Sequence, residues 1–339
     1  MRRGSLLQLV GLTLVIAAGA AAIALFIPWL PESASEERDR IDVVFWVTTV
    51  ICIAVFAVVF AISVFSLWKF RARPDDDSDG PPIHGHTGIE ITWTAIPAML
   101  VTSIAVVSAV ALAKNDSTPA DLTVDVRARQ FTWSFTYPAS GDVTSSQLRL
   151  PVDKTVLLRL QSDDVIHSFW VPEFGQKQDV LPKPEVTELR ITPTRTGRFP
   201  VICTELCGAG HAFMRSFAIV MEQGAFDRWS RGRRQALGGT GGEAGKAVFD
   251  EQGCGSCHTF SAAQASGDVG PDLDDLPAEA RRAGKPLEAF VRESIVEPDA
   301  YVERGFSANL MPETYGGLPK QQLDALVQYL VEGGRRGNQ

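Results

Sequence analysis

The chain has 339 residues, 45% of them hydrophobic, and a formal net charge of −8. That acidic balance excludes a nucleic-acid partner, and the length accommodates two domains with additional segments. The two cysteine-bearing runs, at 203–214 and 254–258, offer neither a nucleophile with its base nor a phosphate-cradling loop.

The hydrophobic residues are concentrated in the first third. Residues 4–31, 43–68 and 91–113 contain no charge, and each run is long enough to cross a hydrocarbon core of ~30 Å as a helix. The first follows Met1-Arg2-Arg3 and ends near Ser-Ala-Ser at 33–35. A signal peptide is one reading of residues 1–35. A retained helix is favoured, because the apolar stretch exceeds the roughly 7–15 residues of an h-region. Residues 36–114 are expected to form a transmembrane helical hairpin. Arg2 and Arg3 precede the first run, and Lys69, Arg71 and Arg73 follow the second. By the positive-inside rule these clusters are cytoplasmic, which puts everything after Lys114 on the extracytoplasmic side of a multi-pass inner-membrane protein. Cys52, within the second run, reads as a small packing residue. Asp75-Asp-Asp-Ser-Asp reads as a solvated turn, and His84 and His86, flanking Gly85, as a surface loop.

Residues 115–222 read as an all-β domain. Alternation marks strands at 122–127, 130–137, 155–160 and 217–221, separated by Pro, Gly, Asp and Ser clusters, as in a sandwich or barrel. Residues 223–242 are polar and glycine-rich and read as a flexible linker. Helical spacing then returns at 243–249, 287–296 and 321–330, so residues 243–339 form an all-α domain.

Two motifs carry chemistry. The run Cys203-Thr-Glu-Leu-Cys-Gly-Ala-Gly-His-Ala-Phe-Met214 brings two thiols, an imidazole and a thioether together. With His167 from Val165-Ile-His-Ser-Phe-Trp, this is a ligand set that selects copper. A single copper wants one cysteine, so two ions sharing Cys203 and Cys207 use the sulfurs better. A disulfide between these cysteines is the competing reading in an oxidising compartment, but it leaves His167, His211 and Met214 unexplained. Cys254-Gly-Ser-Cys-His258 is the attachment motif for covalent haem, with Cys254 and Cys257 as thioether anchors and His258 as iron ligand. Met311 is the one methionine after Met221 and reads as the sixth ligand. A thioether opposite histidine suits an electron carrier.

The string 203–214, with Ile166-His-Ser-Phe-Trp-Val-Pro, Gly175-Gln-Lys-Gln-Asp, Ile91-Thr-Trp-Thr-Ala-Ile-Pro-Ala and Gln130-Phe-Thr-Trp-Ser-Phe-Thr-Tyr, resembles subunit 2 of cytochrome c oxidase. The stretch from Glu243 to about 332, with Gly270-Pro-Asp-Leu and Tyr329, resembles class I cytochromes c. The resemblance implies a cupredoxin-like Greek-key domain whose binuclear copper is held by His167, Cys203, Cys207, His211 and Met214. It implies that Glu205 gives its carbonyl to copper and its side chain to magnesium shared with subunit 1. Glu90 matches an acid at the mouth of a proton channel, though a helix-start carboxylate is the plainer reading. Asp179 matches an acid near the subunit 1 interface, against a solvated turn. The family has Gln-Trp-x-Trp where this chain has Gln130-Phe131-Thr132-Trp133, so the usual tryptophan for electron entry is replaced.

The expected function is the electron-entry subunit of a respiratory oxidase. Its partners would be subunit 1, subunit 3, membrane lipid and a donor from a quinol–cytochrome c reductase or a cytochrome c. A copper-containing nitric oxide reductase subunit and a tethered carrier without a catalytic partner are the alternatives.

Overall fold

The computed structural model describes residues 3–71, 82, 84–237, 241–308, 310–311 and 313–337. Arg2, Arg73, the acidic run at 75–79 and residues 238–240 of the expected linker lie outside the described residues. The chain divides into two compact units, residues 1–32 with 38–117 and residues 33–37 with 118–339.

The first unit contains α1 (Arg3–Phe26), most of α2 (Glu36–Lys69) and α3 (Thr87–Ser117). All three are long and apolar enough to span a bilayer, with mean hydropathies of 2.5, 2.9 and 2.2. Large side chains such as Leu7, Phe56 and Val101 point outward, as expected where lipid replaces water. Hydroxyls inside these helices return to the backbone, as Thr49 does to the Phe45 carbonyl at 2.8 Å and Thr102 to Ala98 at 2.8 Å. That satisfies the polar group without a partner in hydrocarbon. Arg40 donates to the Asn115 side chain at 2.7 Å, linking α2 to the end of α3.

The second unit begins with ten strands: β1 (Leu122–Arg129), β2 (Thr132–Tyr137), β3 (Val143–Ser145), β4 (Leu148–Pro151), β5 (Val156–Ser162), β6 (His167–Trp170), β7 (Lys177–Val180), β8 (Thr187–Ile191), β9 (Gly197–Cys203) and β10 (Arg215–Met221). They form two five-stranded sheets, ordered β3-β2-β1-β5-β8 and β4-β10-β9-β6-β7. Parallel pairing of β1 with β5 and of β4 with β10 breaks the antiparallel pattern, giving the cupredoxin-like sandwich. Alternation does the rest: Val124, Val126 and Ala128 of β1 face inward with Phe135, Leu158, Phe169 and Val201. The strand expected at 130–137 starts at Thr132, because Gln130 and Phe131 form the turn of the β1–β2 hairpin.

Residues 33–37 complete this domain. Ser35 bridges to Pro193, and Ala34 donates its amide to the Glu173 carbonyl at 2.9 Å. The Glu37 carboxylate accepts from the Thr192 amide at 2.8 Å and hydroxyl at 3.0 Å. The Ser-Ala-Ser run weighed as a processing site thus has Ala34 and Ser35 fully buried.

The expected linker is largely a helix, and this corrects the composition-based reading. Residues Gln223–Leu237 form α4. Phe226 and Trp229, three apart on one face, pack against Tyr137, tilted and edge-to-face, at centroid distances of 5.9 and 5.0 Å. The polar composition that suggested a linker belongs to the opposite face of an amphipathic helix. The remaining helices are α5 (Gly242–Glu251), α6 (Leu276–Arg282), α7 (Leu287–Val296) and α8 (Lys320–Gly337), which enclose a separate core of Phe249, Phe260, Phe290, Leu326 and Tyr329.

Candidate copper and haem sites

Three pieces of chain converge on the first site. β6 opens with His167, β9 ends in Cys203, and the loop to β10 supplies Cys207, His211 and Met214. Pairing of Phe169 with Cys203 fixes the histidine strand beside the cysteine strand. The Cys203 amide donates to the Met214 carbonyl at 3.2 Å and closes the base of the loop. The Sγ atoms of Cys203 and Cys207 are 3.9 Å apart, against about 2.05 Å in a disulfide. His167 Nδ1 lies 3.9 Å from Cys203 Sγ, His211 Nδ1 3.5 Å from Cys207 Sγ, and Met214 Sδ 3.8 Å from Cys207 Sγ. The donor atoms of His167, Cys203 and Cys207 all lie within 4.8 Å of one another. Cys203 Sγ also faces the Glu205 carbonyl at 3.4 Å. Five soft or borderline donors around one buried point are a set that fits copper.

The two thiols are inequivalent. Burial pushes Cys203 up, but hydrogen bonding with His167 and with the backbone at Glu205 and Ser168 outweighs it, so its net shift is down. Burial and the adjacent Cys203 push Cys207 up. Cys203 therefore ionises first when no metal is bound.

A second layer holds the ligands. His167 Nε2 is 2.8 Å from Asp164 Oδ1, leaving Nδ1 toward the sulfurs. Asp164 also accepts from the amides of Gln130 and Val165, each at 2.7 Å. Burial raises the Asp164 pKa, but these amides and His167 bring it below the usual carboxylate value. Gln130 Nε2 donates to the Cys207 carbonyl at 2.5 Å. Neither Asp164 nor Gln130 was a candidate on sequence; the available signal was an acid three residues before a ligand histidine. Phe131 packs against the loop: a Cβ on Gly210 would collide with its ring. Trp133 is buried, with its ring 6.3 Å from that of His167.

The second site is a cavity of about 360 Å³ in the helical domain, lined mainly by apolar side chains including Phe249, Ile295, Leu326 and Leu330. Cys254, Cys257, His258 and Met311 all line it. The short helical turn Cys254–Ser256 carries the motif. His258 Nδ1 donates to the Pro271 carbonyl at 2.7 Å, which fixes the tautomer and leaves Nε2 free for a metal. Burial lowers the His258 pKa, partly opposed by that bond. A Cβ on Gly270 would lie 2.6 Å from the imidazole. An apolar cavity bearing two thiols, an imidazole and a thioether fits covalent haem. Its wall is completed by Phe131, Ala209, Gly210 and Phe213 of the copper loop region.

The other candidates stand apart. Glu90 Oε1 accepts from the His86 amide at 2.9 Å, while His86 Nδ1 accepts from the Ile89 amide at 3.3 Å. This reciprocal cap starts α3: Glu90 sits where the helix-start reading has it, and His86, expected in a surface loop, supplies the other half. Asp179 accepts from Lys177 at 3.0 Å and Ser168 at 2.9 Å, and these bonds lower its pKa.

Membrane helices, a sulfur-rich metal pocket and a haem-type crevice define a membrane-anchored electron-transfer protein. Residues 21–110 match the transmembrane domain of cytochrome c oxidase subunit II, residues 142–223 its periplasmic domain, and residues 242–333 cytochrome c. Cytochrome c oxidase subunit 2 of Alkalihalophilus pseudofirmus is 32% identical over 80% of this chain and 81% of its own. The subunit 2 of Thermostichus vulcanus is 34% identical over 61% of this chain and 79% of its own. That of Synechocystis sp. is 32% identical over 59% and 74%. The chain belongs to the cytochrome c oxidase subunit 2 family and carries a cytochrome c domain at its C-terminal end. It is an electron-transfer subunit of a terminal oxidase complex, partnered with subunit 1, and uses copper and haem c.

Proposed function

We propose that this subunit takes electrons from an external donor at its cytochrome domain and delivers them through its copper domain to subunit 1. When bound, haem c and a pair of copper ions supply the one-electron carriers. Cys254 and Cys257 would anchor the haem, and His258 and Met311 would ligate its iron. His167, Cys203, Cys207, His211, Met214 and the Glu205 carbonyl hold the copper pair, and the Glu205 side chain contributes to a magnesium site with subunit 1. Both domains face the extracytoplasmic side, a reading supported by the positive-inside placing of Arg2, Arg3, Lys69, Arg71 and Arg73. Residues 1–35 and 36–114 act as anchor segment and membrane hairpin, except that 33–37 join 115–222 in the copper domain, and 243–339 act as cytochrome domain. Trp133, against His167, lies on the path toward subunit 1, and Glu90 serves the entry to a proton channel there. Subunit 3 completes the complex, and the donor is a quinol–cytochrome c reductase or a cytochrome c.

The observation that carries the serial order is the shared wall: Phe131 and Gly210 of the copper domain line the same cavity as Cys257, His258 and Met311. A chain ending near Gly238 tests it. This form should keep its copper, lose the haem and oxidise the natural donor poorly, while accepting electrons from small mediators. Turnover with the natural donor at the full rate would make the cytochrome domain a side branch. Purification without a larger haem protein would favour a tethered carrier instead.

A further inference from the structure

Charge lies at the centre of the contact between the copper and cytochrome domains. The Arg233 side chain, on α4, is only 11% exposed. Its Nε donates to the Thr144 carbonyl of β3 at 3.4 Å, and its Nη2 donates to the Ala247 carbonyl of α5. Its Nη1 lies 3.8 Å from the Asp250 carboxylate, which Lys246 also holds at 2.9 Å. Glu251 is buried beside this pair; burial pushes its carboxyl pKa up, and the Arg233 charge offsets part of that rise. The carboxyl end of a helix is electronegative, and a planar guanidinium reaches two carbonyls and a carboxylate in fixed directions, which an ammonium does not.

Two further contacts flank Arg233. Ser146 Oγ donates to the Asp250 carbonyl. Arg129, at the end of β1, reaches Gln252 Oε1 at 3.5 Å, and its guanidinium lies 5.0 Å from the centroid of the Tyr315 ring. Tyr315 lines the haem cavity, as does Phe131, two residues after Arg129. The grip on α5 and the shared cavity wall are therefore parts of one contact.

We propose that Arg233 is a positioning residue that latches the cytochrome domain to the copper domain and keeps the haem cavity against Phe131 and the copper loop. This rests on the serial reading above and narrows it: the haem cavity's acceptor partner is this chain's own copper domain, held in place rather than met by diffusion on a tether. With both groups bound, the handover would be a one-electron transfer from reduced haem to oxidised copper, with no bond formed or broken.

The full complex, loaded with copper and haem, provides the test. In Arg233→Ala, hydrogen exchange of residues 144–147 and 247–252 should rise about tenfold or more as the contact opens, with β6 and β9 unchanged. After photoinjection of an electron at the haem, reduction of the copper site in the unsubstituted protein should not depend on solvent viscosity. In Arg233→Ala it should slow about tenfold and become viscosity-dependent, as expected when domain closure gates the event. The copper resonance and haem potential should stay as they were, and Arg233→Lys should recover part of the rate. Exchange and rate both unchanged in Arg233→Ala would remove the latch and leave the serial path standing. A viscosity-dependent rate in the unsubstituted protein would remove it too, without any variant. Absence of copper reduction in the unsubstituted protein would overturn the serial path and the latch together.

Discussion

The two redox sites are built in opposite ways. Cys254, Cys257 and His258 are neighbours in sequence, and one short turn suffices to bring them together. His167 and Cys203 meet only because β6 and β9 pair in register, and Cys207, His211 and Met214 follow only if the base of their loop closes. A site of the first kind depends on local chain geometry. A site of the second kind depends on a finished sheet, and inherits every fault in it.

That contrast can be broken most severely at the copper sulfurs. Cys203→Ser with Cys207→Ser should abolish copper binding while the covalent haem remains, read as metal and haem counts per chain. In the unsubstituted protein the paired copper should give a mixed-valence resonance; the signal of one isolated copper would end the binuclear assignment. On the haem side, Met311→Ala should leave the haem attached, remove the sulfur-to-iron charge-transfer band and lower the potential by on the order of 100 mV, within the ~0.8 V span that axial ligands command. Survival of that band would place the sixth ligand elsewhere.

Smaller effects sharpen the comparison. Asp164→Asn should weaken copper binding roughly 10- to 100-fold, the usual consequence of losing a carboxylate behind a ligand histidine, and should not touch the haem. In the metal-free protein Asp164 has a lowered pKa. Its contribution to stability is therefore present above the unfolded carboxylate pKa and lost as pH falls through the folded value. Acid titration of unfolding should show Asp164→Asn with a shallower loss on the acid side, and identical curves would remove Asp164 from this role. Ionic strength should have the mildest influence. Residues 243–332 hold sixteen Asp/Glu against seven Lys/Arg, so a basic donor should bind more slowly as salt rises. An unchanged association rate would mean the acidic face is not where the donor lands.

Much of this was legible in the sequence, and what was missed follows a pattern. The three spans, the alternation of β1 and β5 and the spacings of α7 and α8 depend on local periodicity. The ligand residues belong to residue types rare enough for their clustering to be visible. Asp164 lies three residues before His167, but an acid at a turn does not stand out by its type. Gln130 was not visible, because an ordinary polar residue becomes significant only when the fold brings it to Cys207. Arg233 was hidden for the same reason, and α4 was hidden by its composition: its few apolar residues, Phe226 and Trp229, count only against Tyr137. Phe131 was noted as a departure from the family pattern, but its place between two cofactor sites emerges only from the fold.

Residues 33–37 make the copper domain discontinuous along the chain. A fragment starting at Asn115 would carry every proposed copper ligand and still be an incomplete domain. Without Glu37 the Thr192 amide and hydroxyl lose their acceptor and turn to water. The edge that Ala34 and Ser35 cover would lie open for another chain to pair with. Soluble versions intended for spectroscopy should therefore begin by fusing these five residues back on; a bare truncation invites aggregation unrelated to the metal chemistry.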